Sequence, residues 1–193
     1  IVIISGPRDR VRIPRKDIRS IRPSSVSLMP DGFADNLTHR ELSDLLDSFR
    51  KLRETTLDHP SVARPLAFGA QGEIPYLVYS HLAGTAMDAV MRKGRARPVA
   101  EVLQRTRQLA VAIDCAAGEG IHHGMMAPCD VFLDGERTGV TGFGLGQALI
   151  KVAIPAEADS RYGSPQRLAG APPTLADDVY SLAAITLELL IGT

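Results

Sequence analysis

Apolar residues recur at spacings of three and four through Leu42, Leu45, Leu46, Phe49 and Leu52, the period of an amphipathic helix with one buried face. Thr38, followed three residues later by Glu41, supplies a capping box at its start. Before this helix the pattern is of short β-type runs, Ile1–Ile4, Val11–Ile13 and Val26–Met29, interrupted by Gly6-Pro7, Pro14 and the turn Pro30-Asp31-Gly32. After it come two more strand candidates, Ala63–Phe68 and Pro75–Tyr79, with Gly69 to Gly72 between them. A short helix begins at Met87–Met91. A long one runs from Glu101 to Ala117 and is stopped by Gly118 and Gly120. Val131–Leu133 and Val140-Thr141 read as a hairpin around Asp134-Gly135. From Gly144 to Pro173 the periodicity is weak and Gly and Pro are frequent, so a long loop is expected. The last helix, Asp178 to Leu190, is apolar almost all round and is expected in the core.

This order predicts an α+β fold in two lobes: residues 1–83, β-rich with one helix, and residues 84–193, mostly helical, joined near Leu82-Ala83-Gly84. The chain opens as a strand entered midway and closes at the end of a helix, the pattern of a piece of a longer protein. The apolar face from Leu182 to Ile191 is therefore expected to be left partly open.

Composition narrows the functional classes. Of 193 residues, 22 are Lys or Arg and 22 are Asp or Glu, and this neutral balance removes the electrostatic case for nucleic-acid binding. Cys115 and Cys129 are the only cysteines, which excludes a disulfide framework, and their spacing is that of no zinc site. No apolar run reaches the roughly 18 residues that a membrane span needs, and the start carries no signal-peptide pattern. A cytoplasmic location is expected.

Several signposts then fall in one order. Leu57-Asp58-His59-Pro60 follows the first helix, and Pro75–Tyr79 forms the strand before the linker. Gly120-Ile121-His122-His123-Gly124-Met125-Met126-Ala127-Pro128-Cys129-Asp130-Val131-Phe132-Leu133 precedes Gly142-Phe143-Gly144. Tyr162-Gly163-Ser164-Pro165 and Asp178-Val179-Tyr180-Ser181-Leu182 come last. The series resembles the protein kinase superfamily, and in texture the bacterial Ser/Thr kinases: the H-P turn after the C helix, the H-R-D-L-K-P-E-N catalytic loop, D-F-G, the close of the activation segment and the F helix. The resemblance covers nearly the whole chain.

The resemblance also implies where charged chemistry should sit, and there the sequence departs. Phosphoryl transfer depends on a few charged groups around the ATP phosphates. The strand-3 Lys position falls on Met29 and its Glu partner on Arg50, with Glu54 one turn later. The catalytic-loop Asp, Lys and Asn positions hold Met125, Ala127 and Asp130. The D-F-G Asp position holds Gly142. No residue of the usual catalytic set is expected intact. The nucleotide site implied by the family is degenerate: Gly6 and Val11 remain of the Gly-rich loop, Ser27 stands for the strand-3 Ala, Tyr79 and Leu82 flank the linker, and Phe132 replaces a smaller Leu under the adenine. ATP with magnesium is expected to bind weakly or not at all, no other cofactor is expected, and Asp130 alone is a weak metal candidate. His123, Phe143, Gly144, Pro165 and Asp178 match positions that shape the fold.

The implied function is that of a pseudokinase, a kinase-like module that binds, scaffolds or allosterically regulates a protein partner in signalling. The alternative is a divergent Ser/Thr kinase or other ATP-dependent phosphoryl or nucleotidyl transferase using Asp130, Asp134 or Glu54. Two single residues carry competing readings. Cys129 is either a reactive thiol or an ordinary cysteine. His122-His123 is either a metal pair or, for His123, a packing residue beside Phe143.

Overall fold

The computed structural model describes residues 2–4, 10–12, 37–71, 74–92, 94–152 and 160–192. Two short strands, β1 (Val2–Ile4) and β2 (Arg10–Arg12), pair antiparallel with Ile3 opposite Val11. Gly6, Ser27 and Met29 lie outside the described residues.

Helix α1 runs His39–Glu54 and starts as its sequence dictates. The Thr38 hydroxyl accepts from the Glu41 amide (3.2 Å), and the Glu41 carboxylate accepts from the Thr38 amide (2.8 Å). Leu45, Phe49 and Leu52, spaced by four and three, are its buried face. Strands β3 (Pro65–Gln71) and β4 (Ile74–Tyr79) form an antiparallel pair with a register shift between Pro65 and Ala67. β5 (Thr85–Ala86) joins β6 (Val131–Asp134) and β7 (Arg137–Val140) in a three-stranded antiparallel sheet ordered β5-β6-β7. The short helix α2 is Met87–Met91 and the long helix α3 is Val99–Gly118.

The stretch after Gly144 departs from the expected loop. Leu145–Lys151 is a helix, α4, and Pro165–Leu168 is a short helix, α5. Ala148 and Val152 pack with Leu45 and Phe49 of α1, so burial against α1 supplies what the weak local pattern did not. The final helix, α6, spans Leu175–Ile191, three residues earlier than its apolar run suggests. The Thr174 amide and hydroxyl both donate to Asp177 Oδ2, at 2.7 Å each, and this cap draws the helix start back.

The main core lies between α3, α6 and the β6–β7 hairpin: Leu109, Ile113 and Ala116 meet Ile185 and Leu189, with Val131, Val140, Met126 and Phe143 completing it. α6 is not buried all round. Leu182, Ile185 and Leu189 face the core, while Val179, Tyr180, Leu187 and Ile191 are exposed.

Candidate functional site

The loop His122–Asp130 hangs between α3 and β6, and its main chain is held largely by side chains from elsewhere in the fold. Asp178, on the first turn of α6 and fully buried, accepts from the amides of His123 (Oδ2, 3.0 Å) and Gly124 (Oδ1, 2.6 Å). Burial pushes the Asp178 carboxyl above its ordinary range, and the two amide bonds and neighbouring imidazoles offset that only in part. Its neighbour Asp177 goes the other way. Burial alone would raise it, but hydrogen bonds from Ser164 and Thr174 and the charge of Arg167 outweigh burial and hold it low.

Other groups tie the same loop from further away. Gln147 of α4 accepts from the His122 amide (2.9 Å) and donates to the Gly120 carbonyl (3.2 Å). Buried Arg167 of α5 donates through Nε to the Gly124 carbonyl (3.2 Å) and also bonds the Ala171 carbonyl. Outside this loop, the Ser181 hydroxyl donates to the Tyr162 carbonyl (2.8 Å) and ties the segment before α5 to α6. Single-residue matches gave no sign of Gln147 or Arg167, because their partners are main-chain atoms far away in sequence.

His123 is buried. Its ring stands edge-on to Phe143, with centroids 5.6 Å apart and planes at 73°. Its Nε2 lies 3.0 Å from the Thr141 carbonyl and 3.6 Å from Asp130 Oδ2. The Asp130 carboxylate turns back into the loop, where Oδ2 accepts from the Ala127 amide at 2.9 Å. Met125 and Ala127 are half-buried and bring no charge to this face. Cys129 is exposed, but burial of its thiol, with Asp130 and Asp88 nearby, pushes it up to about 11, which disfavours the reactive thiolate.

The turn Gly142-Phe143-Gly144 explains its own glycines. Gly142 has φ +92°, and a Cβ there would lie 3.0 Å from His123 Nε2. Gly144 has φ +80°, and a Cβ there would stand inside the contact distance of Leu52 on α1. The Phe143 carbonyl accepts from the Tyr79 hydroxyl at 3.0 Å, so the end of β4 is bolted to this turn. Burial raises the Tyr79 phenol well above its ordinary range.

The remaining candidates are scattered. Arg50 is exposed and pairs with Asp47 of its own helix at 2.8 Å; Glu54, at the end of α1, is exposed too. Pro165 opens α5 behind the Ser164 cap. Leu82 and Phe132 come together, with Gly139 between them, in a groove of about 620 Å³ lined also by His59, Arg107, Val111 and Arg137. The turn holding Gly142 presents no carboxylate, Asp130 is engaged with the Ala127 amide, and no cluster of three His, Cys, Asp or Glu stands together among the described residues.

Comparison with known proteins agrees with the protein kinase-like fold. The chain is 25% identical over 177 residues to a probable serine/threonine-protein kinase of Clostridium perfringens, covering 87% of this chain and 25% of that protein. It is 27% identical over 158 residues to the serine/threonine-protein kinase PrkC of Bacillus subtilis, covering 78% of this chain and 24% of that one. Among solved structures, a point mutant of the Mycobacterium tuberculosis PknI kinase domain superposes with a TM-score of 0.62 at 23% identity, covering 80% of this chain and 60% of that chain. The chain thus spans about a quarter of the length of the curated relatives it matches. No family model matches it.

Proposed function

We propose that this protein kinase-like domain works without phosphoryl transfer, as a pseudokinase that binds, scaffolds or allosterically regulates a protein partner in signalling. The observation that carries the reading is the loop His122–Asp130. Its backbone is held by Asp178, Gln147 and Arg167, while the catalytic-loop positions carry the uncharged, half-buried Met125 and Ala127, and Gly142 faces His123 with no side chain. Transition-state stabilisation in phosphoryl transfer is almost entirely electrostatic, so a framework without those charges leaves binding as its use. The division into lobes at residues 1–83 and 84–193 belongs to the same proposal, as does a cytoplasmic setting. Among the described residues no helix is long and apolar enough to cross a membrane.

One observation favours the alternative of a divergent transferase. The Asp130 side chain is 28% exposed and sits beside His123, so a carboxylate remains at the mouth of the loop. A radiolabelled-ATP transfer assay with magnesium, run on the chain and on Asp130→Ala, separates the two readings. No incorporation above background by either protein is expected; incorporation that vanishes with Asp130→Ala establishes the transferase.

A further inference from the structure

The groove that holds Leu82 and Phe132 is built from four segments far apart in sequence: the turn His59–Ser61, the linker His81–Ala83, the α3 face bearing Arg107 and Val111, and the β6–β7 hairpin. Its bottom is shaped by Gly139, where a Cβ would come within 3.0 Å of the Leu82 side chain. Glycine there lets the linker lie close on the hairpin. Pro60, Leu82, Val111 and Phe132 give the walls apolar surface. Its volume of about 620 Å³ falls in the range of sites that enclose a ligand.

The charges along the groove are unevenly distributed. Arg105, nearby on α3, is fully engaged: it bonds Glu101 at 2.9 Å and reaches Thr138 and the Gly135 carbonyl. Arg107 and Arg137 are exposed on the groove, and among the described residues neither has an ion-pair partner. Asp134, opposite Arg137 across the hairpin, is the one carboxylate among the lining residues, and His59 and His81 line the groove as well, with His59 Nδ1 accepting from the Ser61 amide. In a chain of zero net charge this local excess of cations is a property of the place and not of the composition.

We infer that this groove docks a short acidic peptide segment of a partner protein, with apolar side chains on the Leu82, Val111 and Phe132 walls and carboxylates against Arg107 and Arg137. A free small anion would use the guanidinium groups and leave the apolar walls without a role. A purely apolar segment would leave the cations unmatched. An extended peptide carrying both kinds of side chain uses both. The inference rests on the binding-module reading above, to which it adds the chemistry of the partner.

The test is to pan a random dodecapeptide phage library against the chain and to measure the selected peptides, made with a fluorescein label, by anisotropy. Selected sequences are expected to place Asp or Glu beside Leu, Ile, Val or Phe. Their dissociation constants should rise at least about tenfold in the double variant Arg107→Glu, Arg137→Glu, and rise also with added salt. Both arginines are exposed, so the variant should keep its fold, checked by circular dichroism. Val111→Ala, trimming the wall without touching the arginines, should weaken the same peptides. A library that yields no binders, binders without acidic enrichment, or binding unchanged by charge reversal overturns the inference. Self-association of the chain that disappears in the double variant would assign the groove to a second copy and overturn it too. Phosphoryl transfer by the chain would instead sink the binding-module reading, and the anisotropy results would stand separately from it.

Discussion

The loop His122–Asp130 has two unlike sides. Its inner face is tied down by a buried carboxylate, an amide side chain and a buried guanidinium, from Asp178, Gln147 and Arg167. Its other side carries the uncharged, half-buried Met125 and Ala127, the latter packed on the main core, and an Asp130 carboxylate folded back onto the loop. The forces that hold the backbone in shape are thus independent of those that would perform chemistry on it. A framework of this kind can persist while the charges mounted on it change, because the anchoring atoms on the loop are main-chain amides and carbonyls that no substitution other than proline removes.

Breaking the inner face should have the largest effect. Asp178→Ala leaves two buried amides without acceptors and is expected to cost about 3 kcal/mol in urea unfolding. Gly144→Ala comes next, at about 2 kcal/mol, because a left-handed backbone and the Leu52 side chain both oppose a Cβ. A change of less than half that size would mean the turn relaxes freely away from α1.

Asp177 and Asp178 sharpen the comparison through pH. The folded state holds Asp177 below its ordinary range, so the stability it contributes is present above that range and is lost as pH falls through the folded value. The folded state holds Asp178 above its ordinary range and so binds its proton more tightly than the unfolded chain does. Its contribution therefore falls as pH rises through the window above the ordinary value. In urea midpoints taken across the acid range, the deficit of Asp177→Asn, about 1 kcal/mol at neutral pH, should grow with rising pH, while that of Asp178→Asn should shrink. Parallel slopes would contradict the assignment.

The other side should respond least. Met125→Asp, which returns one charge of the family pattern at a half-buried position outside the core cluster, is expected to change stability by less than about 1 kcal/mol and to confer no ATP-dependent incorporation. The Gly142 turn still carries no carboxylate in this variant.

Much of the framework is legible in the sequence because its determinants are local. Thr38 and Glu41 announce the start of α1, and the spacing of Leu45, Phe49 and Leu52 announces its buried face. The β6–β7 hairpin is written in Asp134-Gly135 and the apolar residues on either side. Helices α4 and α5 were not legible. Gly144 and Gly146 weaken the local pattern, and α4 is held by Ala148 and Val152 packing on α1, more than ninety residues earlier. The open face of α6 was partly legible: the apolar run was plain, but which side met the core depends on where α3 lies. At the candidate site, the absence of charge at Met125, Ala127 and Gly142 could be read directly, whereas the ties made by Gln147 and Arg167 could not. The groove between Arg107 and Arg137 was hidden for the same reason, since four distant segments build it.

Hydrogen exchange at the His123 and Gly124 amides, with and without magnesium and ATP, tests the central claim most directly. If the inner face is a permanent frame and the other side has no nucleotide to answer, both amides exchange only through near-global unfolding, and their rates do not change when magnesium and ATP are added. Fast exchange through local opening, or added protection with the nucleotide, would contradict the account.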